Sequence, residues 1–116
     1  ILPDDVAPIQ NQIKQWKNEG YDLVISTGGT GLGPRDVTVE AIVPLIDREV
    51  PGIMEAARAY GQQRTPYAML SRGLAGLIES MLVVTLPGSS GGTRESLDAI
   101  FPAILHSYKM MAGGGH

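Results

Sequence analysis

The segment Tyr21-Asp22-Leu23-Val24-Ile25-Ser26-Thr27-Gly28-Gly29-Thr30-Gly31-Leu32-Gly33-Pro34-Arg35-Asp36 is the most informative about the fold. It opens on the short apolar run Leu23-Val24-Ile25, which is typical of a strand buried on both faces. A glycine-rich segment follows this run, and a helical pattern resumes after Asp36. The order strand, glycine-rich loop, helix predicts an α/β fold, in which ligands bind at the carboxyl ends of strands.

The loop after this strand matches neither of the common phosphate-binding loops. It lacks the lysine of a P-loop, and Pro34 stands where the dinucleotide fingerprint has its third glycine. On glycine content alone, a tight turn without a ligand stays an open alternative. Arg35 and Asp36 favour a ligand site, because they place two charges beside backbone N–H donors and the hydroxyls of Thr27 and Thr30.

A second glycine-rich segment follows a second apolar run. The residues Met81-Leu82-Val83-Val84-Thr85-Leu86 predict a buried strand, and Pro87-Gly88-Ser89-Ser90-Gly91-Gly92 comes directly after it. Thr93 is the predicted cap of the long helix that follows. We therefore expect one cleft for a polyanion, formed by the amides of both loops, the hydroxyls of Ser89 and Ser90, and the positive ends of two helices.

The remaining patterns complete the predicted fold. Residues 6–19 have helical spacing behind a possible Asp5 cap, and Thr38 or Asp36 can cap the helix after the first loop. Residues 71–78 and 81–86 predict an antiparallel hairpin turning at Glu79-Ser80. The fold class is α/β, a three-layer α/β/α sandwich with a mixed, mostly parallel sheet. The predicted core comprises Ile9, Ile13, Leu23, Val24, Ile25, Ile42, Leu45, Leu82, Val84, Leu97, Ile100 and Ile104.

Composition excludes several classes of protein. The chain has 116 residues, so it holds at most one domain, and its net charge of −3 argues against a nucleic-acid-binding surface. It has no cysteine, which excludes disulfides, thiolate metal sites and a cysteine nucleophile, and its two histidines do not suggest a zinc site. No apolar run has the length of a membrane span, and the expected location is the cytoplasm.

Several motifs together resemble the MoaB/MogA molybdopterin-binding family, which includes the G domain of gephyrin and its plant counterpart. The resemblance covers residues 1 to about 110. It rests on Thr27-Gly28-Gly29-Thr30-Gly31, Arg35-Asp36-Val37-Thr38 with Glu40, Leu2-Pro3-Asp4-Asp5, Asp47-Arg48-Glu49-Val50-Pro51-Gly52, Leu70-Ser71-Arg72 and Leu86-Pro87-Gly88-Ser89.

The resemblance implies a molybdopterin adenylyltransferase with ATP and Mg²⁺, in which the terminal phosphate of molybdopterin attacks the α-phosphorus of ATP. It implies that Asp36 acts at the reacting end and holds Mg²⁺, and that Asp4 positions the substrate or the metal. The residues implied to bind molybdopterin or nucleotide are Thr27, Gly28, Gly29, Thr30, Gly31, Arg35, Ser71, Pro87, Gly88, Ser89 and Ser90.

The resemblance leaves two other functions open. The chain could be a catalytically weak molybdopterin-binding module or a scaffold within a larger or fused molybdenum-cofactor protein, and the related competence-damage-type proteins hydrolyse other nucleotides. The implied partners are copies of the same chain, as a trimer or hexamer, and a fused or upstream enzyme of the pathway, with no nucleic acid and no membrane. The choice between molybdenum and tungsten stays open.

The resemblance also concerns the limits of the domain. Members of the family carry a strand and a helix ahead of the equivalent of Ile1. Residues 1–116 are therefore expected to form a molybdopterin-binding domain that is incomplete at its N-terminus, so that the chain alone need not be active. Residues 111–116 have no ordering signal and are predicted to be a flexible tail.

Overall fold

The computed structural model describes residues 1–113, with the exception of the side chain of Ser90. Part of the predicted tail, residues 114–116, lies outside the described residues. The strands are β1 (Leu23–Thr27), β2 (Arg48–Glu49), β3 (Ala75–Ile78) and β4 (Met81–Leu86). The helices are α1 (Val6–Asn18), α2 (Thr38–Ile42), α3 (Pro51–Gln62) and α4 (Ser90–Met111), and short 3₁₀ turns occupy Val43–Leu45 and Pro66–Leu70.

Helices cover both faces of the sheet, which confirms the three predicted layers. The side chains of β4 alternate between these faces, as the two-residue period of a strand requires. Met81 and Val83 pack in one cluster with α1 and α2, whereas Leu82, Val84 and Leu86 pack in a second cluster with α3 and α4. All six residues of β4 are buried, so this strand is the centre of the fold.

The sheet is mixed, as predicted, but the expectation of mostly parallel strands is wrong for the described sheet. Its order is β1-β4-β3-β2. Only β1 and β4 pair in parallel, whereas β3 pairs antiparallel with both β4 and β2. Strands β3 and β4 are antiparallel because the turn that joins them, Glu79-Ser80, has only two residues, whereas a parallel pair needs a much longer crossover. Glu79 adopts a positive φ of 53° in that turn.

The first strand lies at an edge of the described sheet, and this corrects part of the predicted core. Ile25 is 37% exposed, and its strand pairs only with β4 among the described strands, so one edge of β1 is uncovered. Leu23, Leu45 and Leu97 are half-buried. The other predicted core residues are buried: Ile9, Ile13, Val24, Ile42, Leu82, Val84, Ile100 and Ile104.

Three predicted helix caps and one strand boundary differ from the structure. Asp5 is the N-cap residue of α1 without a side-chain bond, and α2 begins after Val37, so neither Asp36 nor Thr38 caps it. Ser89 caps α4 in place of Thr93, because its Oγ accepts a hydrogen bond from Gly92 N at 3.1 Å.

The strand that was predicted to start at Ser71 begins at Ala75. The chain ahead of Ala75 runs beside the first glycine-rich loop instead, since the Arg72 amide donates a hydrogen bond to Thr30 O at 2.7 Å.

Candidate functional site

The two glycine-rich loops meet at one end of the sheet. Thr27 of β1 is in register with Leu86 of β4, so these parallel strands end side by side. Gly28 N then donates to Leu86 O at 2.9 Å. A Cβ atom on Gly88 would lie 3.3 Å from the Cα of Gly28, which has a φ of +90°. The two loops are therefore in contact, and glycine is what permits this separation.

A cleft of about 450 Å³ opens where the loops meet. It brings together most of the residues that the sequence singled out, from three separate parts of the chain. Its lining consists of Gly28, Gly29, Thr30, Gly31, Leu32, Asp36, Tyr67, Leu70, Ser71, Pro87, Gly88 and Ser89. Leu32, Tyr67 and Leu70 at its rim are exposed apolar side chains, and Tyr67 was not among the predicted site residues.

Four of the predicted site residues do not line this cleft. Asp4 and Thr27 line a neighbouring cavity of about 290 Å³, which shares Gly28 and Gly29 with the cleft. Arg35 is exposed and lines neither cavity. Ser90 is the first residue of α4. Asp36 and Asp4 thus face two adjacent cavities that lie against the same pair of glycines.

Asp36 is folded back onto the first glycine loop. Its Oδ2 accepts a hydrogen bond from Gly33 N at 2.9 Å, and its own amide donates to Gly33 O at 3.1 Å. A Cβ atom on Gly31 or Gly33 would lie 2.8 or 2.9 Å from Oδ2. Glycines at these two positions therefore make room for the carboxylate, and the loop holds its position at the cleft wall.

Arg72 ties the first loop to α2. Its Nε donates to Gly31 O at 2.7 Å, and its Nη2 donates to Asp36 O at 2.8 Å. The same guanidinium binds both carboxylate oxygens of Glu40, at 2.5 and 3.2 Å. This hydrogen bonding lowers the pKa of Glu40 and raises that of Arg72. Because four of the five N–H donors of Arg72 bond to the loop and to Glu40, this side chain holds the loop in position.

The polar side chains behind the loop are bonded to one another. Thr30 is buried, and its Oγ1 accepts a hydrogen bond from Ser71 Oγ at 3.4 Å. Ser89 Oγ is used by the cap of α4, while Thr93 Oγ1 donates to Pro87 O at 2.8 Å. The contacts of Ser89 and Thr93 hold the backbone of the second loop, which lines the cleft at Pro87, Gly88 and Ser89.

The donor set of the cleft limits which metal it could hold. Among residues 1–113 there is no cluster of three or more histidine, aspartate or glutamate side chains arranged as metal ligands. Mg²⁺ commonly uses one or two carboxylates and takes its other ligands from water and substrate phosphates. The single carboxylate of Asp36 fits a Mg²⁺ ion that arrives bound to phosphate, and it does not fit a metal held by protein side chains alone.

The sequence did not identify Arg72 and Tyr67 as site residues. Arg72 and Glu40 are 32 residues apart, and no pattern in the sequence pairs them. Tyr67 lies in a 3₁₀ turn that sequence periodicity did not reveal. The chemical signal for Arg72 was present, since an arginine can satisfy several loop carbonyls at once. Separately, in the part of the chain that the structure describes, no helix combines the length and apolarity needed to cross a membrane.

The amino-acid sequence is similar to that of known proteins over almost its whole length. A family model described as a probable molybdopterin binding domain matches residues 1–106. The molybdenum cofactor biosynthesis bifunctional protein of Chlorobaculum tepidum is 40% identical over 116 residues, which are 100% of this chain and 37% of that protein. Gephyrin of Dictyostelium discoideum is 47% identical over 107 residues, 92% of this chain and 15% of gephyrin.

The fold also matches solved structures. The crystal structure of the molybdopterin biosynthesis enzyme MoaB from Thermus thermophilus superimposes with a TM-score of 0.87 and 46% identity. The match covers 96% of this chain and 70% of that one. By contrast, the chain spans well under half the length of either the bifunctional protein or gephyrin.

Proposed function

The chain belongs to the family of probable molybdopterin-binding domains, and from that premise we propose that it serves molybdenum cofactor biosynthesis by adenylylating molybdopterin with ATP and Mg²⁺. The observation that carries this proposal is the convergence of two glycine-rich loops and the Asp36 carboxylate in one cleft of about 450 Å³. Both substrates are phosphate compounds, and backbone amides at strand ends and helix starts are suited to bind them.

The reaction joins two phosphates without a covalent protein intermediate. An oxygen of the terminal phosphate of molybdopterin attacks the α-phosphorus of ATP and forms a new P–O bond. The bond from the α-phosphorus to the oxygen shared with the β-phosphate breaks, and its electron pair leaves with pyrophosphate. Positioning and stabilisation of charge are the main requirements of such a transfer. This agrees with a chain that has no cysteine and a cleft without a serine–histidine pair.

Each part of the cleft has a proposed role in that reaction. The amides of residues 28–31 and of Gly88 and Ser89 would orient the phosphates, and Ser71 and Pro87 would contact the substrate between them. Asp36 would hold Mg²⁺ together with phosphate oxygens, and the ion supplies positive charge next to the reacting phosphates. Asp4 would position the substrate from the adjacent cavity. Thr27, Arg35 and Ser90 flank these groups in sequence and are proposed to assist binding at the edge of the site.

A second candidate function is a molybdopterin-binding module or scaffold within a longer protein. The observation that favours it is the share of the relatives that this chain spans, 37% of a bifunctional protein and 15% of gephyrin. In such a protein the domain would hold molybdopterin for a fused or separate enzyme of the pathway. The glycine loops would have the same role, whereas Asp36 would not be needed for chemistry.

The test is adenylyl transfer with purified substrates. The full-length protein that contains this chain is incubated with molybdopterin, Mg²⁺ and ATP labelled at the α-phosphate, and label in molybdopterin is measured together with released pyrophosphate. We expect equal amounts of both products. Molybdopterin binding without either product would reject the enzyme and support the binding module, and absence of molybdopterin binding would reject both functions.

A further inference from the structure

Arg72 holds the carbonyl groups of the first glycine-rich loop from one side. Its amide donates to Thr30 O at 2.7 Å, and its Nε donates to Gly31 O at the same distance. Its Nη2 reaches a third carbonyl, Asp36 O, at 2.8 Å. Arg72 lines a separate cavity of about 590 Å³ and not the cleft, whereas Thr30 and Gly31 line the cleft. The loop therefore lies between Arg72 and the cleft.

The direction of each of these carbonyls fixes the direction of the amide that follows it. In a trans peptide group the C=O bond and the next N–H bond point in opposite directions, and the described chain contains no cis peptide bond. Thr30 O and Gly31 O point toward Arg72. The N–H groups of Gly31 and Leu32 consequently point away from it, toward the cleft that both residues line.

These two N–H groups have no protein acceptor among residues 1–113. The next amide differs, because Gly33 N donates to Asp36 Oδ2 at 2.9 Å. Successive backbone N–H groups that point into one concavity form a site for an anion. Gly31 and Leu32 thus offer two adjacent donors to a ligand in the cleft.

The charge of Arg72 favours this orientation of the loop. Its guanidinium lies at the negative ends of two carbonyl dipoles, those of Gly31 and Asp36. Reversal of either peptide group would break a charge-assisted hydrogen bond and turn an N–H group toward a cation. Glu40 of α2 fixes the guanidinium in turn, because its two carboxylate oxygens accept from Nη1 at 2.5 Å and from Nη2 at 3.2 Å.

We propose that the Leu32 amide is a further phosphate donor of the cleft, beside that of Gly31, and that Arg72 is the positioning residue that directs both amides. This inference rests on the proposed function for the presence of a phosphate group in the cleft. The Leu32 side chain is 70% exposed, and the contribution comes from the backbone alone. Side-chain patterns therefore carry no signal for this donor.

The test follows single amides during a titration with pyrophosphate. The ¹⁵N-labelled full-length protein is compared with Arg72→Lys and with the matched control Arg48→Lys, an exposed arginine of β2. Lysine keeps the positive charge but has a single nitrogen, so it does not reproduce the fork that spans the loop and Glu40. The signals of Gly31 and Leu32 report on the first loop, and that of Gly88 reports on the second.

In the native protein we expect Gly31, Leu32 and Gly88 to shift with one dissociation constant. Arg72→Lys should raise this constant by at least about tenfold, because hydrogen bonds to a charged ligand are lost. At saturation it should also reduce the shift of Leu32 while Gly88 still responds. A misfolded variant would lose the response of both loops, and Arg48→Lys should match the native protein.

A second measurement needs no variant. In the saturated complex of the native protein with pyrophosphate, a hydrogen bond from the Leu32 amide gives a scalar coupling between its ¹⁵N nucleus and a ³¹P nucleus of the ligand. We expect this coupling at Gly31 and at Leu32. Its absence at Leu32 would overturn the assignment of that amide.

The remaining outcomes separate this inference from the proposed function. If Arg72→Lys binds pyrophosphate with the native affinity and the native shifts, Arg72 does not direct the amides, while the proposed function stands. If only Gly88 responds in the native protein, the Leu32 assignment fails and adenylyl transfer still decides the function. If neither loop responds in the native protein, the inference and the proposed phosphate site both fail.

Discussion

At the scale of single residues, Asp36 is a loop residue and not a helix cap. The sequence left both roles open, because aspartate is common at the start of helices. In the structure α2 starts after Val37, and the Asp36 carboxylate bonds to Gly33 N at 2.9 Å inside the loop. Its position at the wall of the cleft is the basis for the proposed role of its negative charge beside a phosphate-bound cation.

We predict that Asp36→Asn keeps the fold and loses the reaction. The Oδ1 of asparagine can still accept from Gly33 N, so the loop geometry is retained. Loss of the negative charge should reduce adenylyl transfer by roughly a hundredfold or more, the scale of a key electrostatic contact. The measurement is the initial rate of product formation, with Asp5→Asn as the exposed control. A folded Asp36→Asn protein with the native rate would show that the charge has no part in the chemistry.

The pair of Glu40 and Arg72 makes a pH-dependent contribution to stability. The hydrogen bond to Arg72 lowers the pKa of Glu40 below its ordinary value of 4.5. A lowered carboxyl pKa stabilises the folded state above the pKa of the unfolded chain, and this stabilisation is lost as the pH falls through the folded pKa. The effect is small because the pair is at the surface.

We therefore predict a difference in melting temperature between the native protein and Glu40→Gln that is constant from pH 7 to about pH 5 and decreases below pH 4.5. Thermal unfolding at several pH values measures it, and Glu55→Gln, an exposed residue, serves as the control. A difference that does not change with pH would mean that the ion pair contributes nothing to folding.

At the scale of elements, the carboxyl ends of β1 and β4 determine where the site lies. The sequence predicted both strands and both loops, because apolar runs and glycine clusters are local signals. It did not predict that β1 lies at an edge of the described sheet, since strand order depends on contacts between distant parts of the chain. The sequence did not predict the pairing of Arg72 with Glu40 for the same reason. Local patterns thus predicted the two glycine-rich loops that line the cleft, while the residues that hold these loops in place needed the structure.

The two strands should respond differently to truncation of their side chains. Val84 is fully buried in β4, whereas Ile25 in β1 is 37% exposed. We expect Val84→Ala to cost about 2–3 kcal/mol in the free energy of unfolding, because it opens a cavity in the core. Ile25→Ala should cost about 1 kcal/mol or less. Denaturant unfolding measures both values. An Ile25→Ala protein that loses as much as Val84→Ala would mean that Ile25 is buried in solution.

At the scale of the whole molecule, uncovered apolar surface is the feature that the fold itself does not explain. Val43 and Met69 are 53% and 65% exposed, and both line a cavity of about 590 Å³ between α2, β2 and α3. The same cavity is also lined by Glu49, Arg58 and Arg72, so a partner that covered these two side chains would meet charged groups beside them. The resemblance to the MoaB/MogA family implies copies of the same chain as the partner.

We accordingly predict that the full-length protein is a trimer or a hexamer. Light scattering coupled to size exclusion should give a mass of three or six times that of one chain. Charged substitutions at the apolar surface, Val43→Glu or Met69→Glu, should lower this mass, and Leu105→Glu on the outer face of α4 is the control. A native protein that runs as a monomer at all concentrations would contradict the prediction.

The central claim is that the two glycine-rich loops form one binding site for molybdopterin. The most direct measurement is a nuclear magnetic resonance titration of the ¹⁵N-labelled protein with molybdopterin, in which the amide signals of the glycines are followed. We predict that Gly28, Gly29, Gly31 and Gly88 shift together with one dissociation constant, while Gly20 and Gly52, which line no cavity near the loops, stay unchanged. Shifts at only one of the two loops, or larger shifts at Gly20 and Gly52, would contradict a single site built from both loops.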